Sequence, residues 1–219
     1  MTKIDWATIR EERLGDFTVS SLPPTLELMA LPHAVTLFIQ KSNETDANVK
    51  ELGEIVETDT GLTLNFLRHV NSSFIGLRNK AGNVKQAVSL LGIRQSKMFI
   101  VTHGMQAAVQ AQKSKLINQD FFWNASLQKA LFAREVAKRL KVDEDSAFAG
   151  ALLQDYLLPI ITNDQFEDYL DFVSKRDQQP VNICDYERER FGWDHAMAAA
   201  CLAKRWHLPD DLVCCTTTV

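Results

Sequence analysis

One carboxylate lies where a carboxylate is costly. In residues 147 to 161, AFAGALLQDYLLPII, thirteen apolar or small residues enclose Gln154 and Asp155. Burying a polar group without a hydrogen bond costs a few kcal/mol, and an ionised carboxylate costs more unless it is paired. Two roles would retain it: ligation of a divalent cation with other oxygen and nitrogen donors, or a structural hydrogen-bonded pairing. The other ligand-type residues give the first role little company. The histidines, His33, His69, His103, His195 and His207, are scattered with no close pair. The four cysteines, Cys184, Cys201, Cys214 and Cys215, show no CxxC spacing and read as reduced, mostly buried thiols. The chain has no HExxH, no glycine-rich phosphate loop and no GxSxG. A ligand-poor pattern of this kind points to binding or structure rather than catalysis.

The elements that must position Asp155 read as helices nearly throughout. Asn48 can cap 48 to 58, where Val49, Leu52, Ile55 and Val56 form one apolar stripe. Helical spacing continues through 61 to 72, 83 to 92 and 93 to 112, and it resumes in 120 to 140 after the break KSKLINQ at 113 to 119. The run 147 to 161 reads as one central helix, ended or kinked by Pro159. Further helices are expected at 164 to 176, 181 to 191, 194 to 206 and from 210 onward. Gly192 is placed to end one helix and Asp194 to cap the next, which leaves His195 in a first turn. β-Branched alternation is absent, so the expectation is an all-α fold of about ten to twelve helices in two packed lobes.

Composition narrows the class of function. With 219 residues, 46% hydrophobic and 24% charged, the chain is globular, and a net charge of −4 gives no electrostatic case for nucleic acid or an anionic membrane as the main partner. The first residues, MTKIDWATIREERLGDF, lack the apolar core of a secretory signal, and the 147 to 161 run is shorter than the ~20 residues that span a bilayer. A cytoplasmic location is the expectation. The aromatic cluster at 121 to 123, with Phe191, Trp193 and Trp206, reads as packing rather than a base-stacking platform. The basic residues Lys129, Arg134, Lys138, Arg139 and Lys141 read as a solvated face, with partner docking as the alternative. The alternating charges of YERERFGWDHA at 186 to 196 also read as solvated surface, with Glu187 or Glu189 as candidates to face a pocket.

Several motifs in order resemble one family. LPHAVTLFIQK at 31 to 41, then VETDTGLTLNFLRHVNSSFIG, then NVKQAVSLLGIRQ are similar to the N-terminal lobe of HDOD domains. The pattern is carried by Asp59, Leu62, Leu67, Asn71, Ser72, Gly76, Ala87, Leu91 and Gly92. FFWNASLQKALFAREVAKRL, AFAGALLQDYLLPII and ERERFGWDHAMAAACLAKRWHLPDDLV resemble the second lobe, so the resemblance covers about residues 22 to 219. It implies a short N-terminal helical extension at 1 to 21, an N-terminal lobe at about 22 to 112, a junction at 113 to 119 and an HD-like lobe at about 120 to 219.

HDOD domains resemble HD-type metal phosphohydrolases, whose metal cage needs a histidine, an adjacent His-Asp pair and a further aspartate. By that resemblance the histidine of the pair corresponds to Gln154 and the upstream histidine to Ala125, leaving Asp155 without its co-ligands. The implied reading has no catalytic residue, no metal and no cofactor, with Asp155 held through hydrogen bonds to backbone, to the neighbours of Gln154, or to a polar partner such as Asn124, Ser126 or His195. Asn71, Asn124, Asp155 and His195 are the candidate pocket or partner contacts, although Asn71 also suits a structural role at a helix end. The expected function is a non-catalytic regulatory module that binds an unidentified protein partner in bacterial signal transduction. A divergent metal phosphohydrolase and a small-molecule sensor are the alternatives. HDOD domains are often joined to receiver, sensor or cyclic-dinucleotide domains, and the apolar end DDLVCCTTTV suggests that more chain follows Val219.

Overall fold

The computed structural model describes residues 4–24, 30–72, 75–76 and 80–217, and among these every regular element is helical. The chain divides into two compact units, Ala30–Ala108 and a second made of Met1–Met29 with Val109–Val219. The N-terminal 29 residues thus group with the C-terminal unit. Their helix α1 (Trp6–Leu14) packs on the last helix, where Arg10 pairs with Asp210.

In the Ala30–Ala108 unit, α2 (His33–Ser42), α3 (Val49–Glu57), α4 (Thr60–Val70), α5 (Val84–Leu91) and α6 (Ile93–Gln110) follow one another. Side chains chosen for capping set the starts of three. Asn48, Asp59 and Asn83 have extended backbones and accept from Lys50 N, Leu62 N and Gln86 N, satisfying N–H groups that the first turn leaves without partners. Gly92, at φ +85°, makes the sharp joint between α5 and α6. Phe38, Ile39, Leu52, Val56, Phe66, Val84 and Val88 are essentially inaccessible and form the core.

α6 approaches α2 through a glycine. A Cβ built on Gly104 would lie 2.6 Å from Val35 Cγ2 and 2.9 Å from Cγ1. The branched valine has little rotamer freedom to give way. Gly104→Ala is expected to lower stability by about 1–3 kcal/mol, read as a reduced urea midpoint at unchanged slope.

The other unit carries α7 (Gln119–Leu140), α8 (Glu144–Leu153), α9 (Leu158–Asp164), α10 (Phe166–Gln178), α11 (Ile183–Phe191), α12 (His195–Arg205) and α13 (Asp210–Thr216). α7 and α8 form an antiparallel hairpin, joined through Lys141 in the left-handed conformation, and pack on each other more than any other pair. α12 is buried along most of its length because alanines at 196, 198, 199, 200 and 203 let its neighbours come close. Gly150 of α8 lies against Cys215 of α13, with 2.5 Å between a built Cβ and the cysteine Cβ.

The expected helix over 147 to 161 is two helices. α8 ends at Leu153, residues 154–157 form a turn, and α9 restarts at Leu158 with Pro159 in its first turn. Proline has no N–H and disfavours helical geometry in the residue before it, so it fits a new first turn far better than a helix interior. The all-α fold expected from sequence is the one found, with this run contributing two helices to it. The division places Gln154 and Asp155 in the turn rather than on a helix face.

Candidate functional site

Asp155 is 16% exposed, and both of its carboxylate oxygens have cationic partners from the same chain. Oδ2 accepts from the Lys129 ammonium of α7. Oδ1 lies 3.4 Å from His195 Nε2. The partner expected from sequence at His195 is therefore present. Asn124 is exposed, and Ser126 donates to Phe122 O at 3.0 Å within its own helix instead. Lys129 is exposed over about half of its side chain, and its ammonium ends on Asp155.

Behind Asp155 the network continues inward. His195 opens α12, where its backbone N–H has no intrahelical partner. Glu187 Oε2 accepts from that N–H at 2.8 Å and lies 2.6 Å from His195 Nδ1. Glu187 Oε1 accepts from Tyr169 OH at 2.5 Å. Glu187 is fully buried and His195 is 1% exposed. Glu189, the other candidate, is exposed. The solvated reading of the 186 to 190 segment thus fails at Tyr186 and Glu187. A signal for this was present, since Cys184, Glu187 and Phe191 fall at i, i+3 and i+7, the spacing of an inward face.

Supporting bonds fix the turn between α11 and α12. Gly192 ends α11 at φ +79°, and Asp194 caps α12 through Met197 N while its other oxygen accepts from Arg188 Nε at 2.7 Å. Tyr156, next to Asp155, donates its hydroxyl to Ala199 O at 3.1 Å in the core.

The order Lys129, Asp155, His195, Glu187 alternates positive and negative and is formally neutral when the imidazole is protonated. Protonation is favoured. Burial alone would lower the His195 pKa, but its bonds to Asp155, Cys184 and Glu187 raise it to about 11. For Asp155, burial acts to raise the pKa, and the His195 and Lys129 bonds outweigh it and hold the carboxyl below its usual 3.8. Stability from the Asp155 pairing is thus present above about pH 3.8 and lost as pH falls through the depressed value. Lys129→Met is expected to cost about 1–2 kcal/mol at neutral pH, more than an exposed ion pair because one partner is mostly buried. In urea titrations the difference from wild type should close as Asp155 protonates.

A metal fits this donor set poorly. Cys184, Glu187 and His195 are mutually close enough to surround an ion, with donor atoms within 4.8 Å of one another. However, His195 Nδ1 and Glu187 Oε2, at 2.6 Å, are already at hydrogen-bond distance, and a histidine must lose its proton to ligate. Lys129, one turn after Ala125 on the same helix, brings a positive charge to Asp155 from within the chain.

Asn71 belongs to the other unit and serves the backbone. Its amide donates to Ala81 O at 2.9 Å and accepts from Ala81 N at 2.7 Å, tying the end of α4 to the start of α5. Gly76 has φ +68° in the intervening loop, whose residues 73–74 and 77–79 lie outside the described set. The structural role of Asn71 therefore accounts for both faces of its amide.

The geometry can be compared with known proteins. The HDOD domain pattern matches residues 28–218. The chain belongs to the HDOD domain family. A solved structure from Shewanella amazonensis SB2B, whose name proposes a phosphohydrolase, is 25% identical, with a TM-score of 0.73 over 91% of this chain and 71% of that one. An HDOD domain protein of unknown function from Geobacter sulfurreducens is 23% identical and superposes with a TM-score of 0.66 over 96% of this HDOD chain and 69% of its own. A curated Treponema pallidum (strain Nichols) protein, described only as uncharacterized, is 24% identical over 183 residues. That match takes in 81% of the HDOD chain and only 34% of the relative, so this chain spans about a third of that protein's length. Among the described residues no helix is long and apolar enough to cross a membrane.

Proposed function

We propose that this HDOD domain is a non-catalytic regulatory module that acts through protein–protein interaction in a signalling pathway. The observation that carries the reading is the internal pairing of Asp155 by Lys129 and His195. A hydrolytic metal centre needs unprotonated ligands and an open coordination position for water. Here the carboxylate is engaged on both oxygens, the neighbouring imidazole favours its protonated form, and by the resemblance alanine and glutamine stand at the two histidine positions of an HD-type cage. The length of the Treponema relative supports a role as one module among others.

The rival reading is a metal phosphohydrolase, favoured by the name of the Shewanella relative. Purified protein incubated with Mn²⁺, Fe²⁺ or Zn²⁺ and assayed on phosphomonoesters and phosphodiesters separates the two. The module reading expects no stoichiometric metal and no turnover above buffer. Bound metal with turnover that disappears in Asp155→Ala would defeat it.

A further inference from the structure

The inner face of α7 is marked by Trp123, Ser126, Ala130 and Ala137, all buried. On its outer side Phe121, Ala125, Phe132, Val136 and Leu140 recur at steps of four, seven, four and four residues, the repeat of a second helix-packing stripe. This stripe faces solvent. Phe121 is 76% exposed, Phe132 73% and Leu140 67%. At about 150–250 Å² per aromatic side chain, the stripe leaves roughly 400–600 Å² of apolar surface uncovered, at the upper end of what monomers tolerate. That is more than half of the ~800 Å² that each partner buries in a stable interface.

We propose that α7 is a homodimer interface, in which a second copy of this chain lays its own α7 antiparallel along the stripe. The residue positions are self-complementary about a point between 130 and 131. A two-fold axis there sets Phe121 opposite Leu140 of the copy and Ala125 opposite Val136. It also sets Lys129 opposite Phe132, where the lysine stem covers the ring while its ammonium stays on Asp155. Charge favours the antiparallel direction, which keeps the basic end of α7, Lys138, Arg139 and Lys141, away from the same end of the copy, where a parallel pair would align it with itself. The heptad-like drift of the stripe suits helices crossing at about +20°. An isologous contact of this kind closes at two copies and leaves no unsatisfied surface to extend into a filament.

The dimer is independent of whether the domain is catalytic, so a monomer would leave the non-catalytic reading standing, and turnover would leave the dimer standing. The test is the mass of the full 219-residue chain by sedimentation equilibrium across a dilution series. Wild type is expected at twice the monomer mass, dissociating on dilution. Phe132→Glu should be monomeric throughout with unchanged helical circular dichroism, since the side chain it replaces is on the surface. Wild type that stays monomeric at every concentration would overturn the proposal and point to a neighbouring domain as the occupant of the stripe. A dimer that survives Phe132→Glu would also overturn it.

Discussion

Glu187→Ala is expected to lower stability by about 3–5 kcal/mol, the largest effect of any single polar substitution in the C-terminal unit. Glu187 is fully buried and holds three groups at once: the His195 backbone N–H, the His195 ring and the Tyr169 hydroxyl. Its removal leaves a buried imidazolium facing Asp155 alone, an unpaired helix N-terminal N–H and an unpaired phenol. Urea unfolding monitored by circular dichroism gives the magnitude, and its pH dependence gives the cause. In the wild type the folded His195 pKa is raised from 6.5 to about 11. Its contribution is therefore complete below pH 6.5, declines as pH rises and is lost as pH passes through the folded value. In Glu187→Ala that alkaline slope should flatten, because the folded pKa returns toward that of the unfolded chain. A loss of stability with the slope intact would mean that packing, not charge, is what Glu187 supplies.

Asn71→Ala should destabilise the Ala30–Ala108 unit by about 2–4 kcal/mol, because two buried backbone groups lose their partners together. Ala81 is 5% exposed, and both its N–H and its carbonyl are satisfied by the one amide. Asn71→Asp is the informative companion. It keeps an acceptor for Ala81 N but presents a second acceptor to Ala81 O, so it should recover little. Differential scanning calorimetry of both variants reads the result, and full stability in Asn71→Ala would remove the bridge from the account of the loop.

The legible part of this protein is the part governed by local chemistry. Asn48 and Asp194 were readable as helix caps from their side chains and the apolar spacing that follows, and each caps the helix expected. Gly192 was readable as a helix stop for the same reason. The division of 147 to 161 was half legible: Pro159 signalled a disturbance, but apolar residues on every side gave no periodicity from which to place the turn at 154–157. What escaped is what depends on contacts between elements distant in sequence. Lys129 lies 26 residues before Asp155 on a helix with several other basic residues, and nothing local marks it as the one whose ammonium reaches Asp155. Glu187 stands among alternating charges, and a charged residue is so seldom fully buried without a partner that its site became legible only with His195 and Tyr169 in place.

These same residues hold Asp155 in the fold. Its charge is balanced outward by a lysine and inward by an imidazolium that Asp155 itself, Cys184 and Glu187 keep protonated, so the carboxylate is a link in a buried polar chain. The Lys129 and Glu187 substitutions act on opposite ends of that chain, one at a half-exposed end and one at a fully buried end, which is why the expected losses differ severalfold. Residues sharing one network are not additive, so the double variant should lose less or more than the sum by an amount that measures the coupling through His195.

The most direct test of the central claim is the protonation state of His195, read from the ¹⁵N and ¹H resonances of its imidazole across pH 6 to 10 with and without added Zn²⁺. Internal pairing predicts that both ring nitrogens stay protonated through pH 9 and that Zn²⁺ leaves their shifts unchanged. A ring that becomes neutral near its ordinary pKa of 6.5, or that loses a proton when Zn²⁺ is added, would show that Asp155 and His195 are ligands in waiting and would contradict the account.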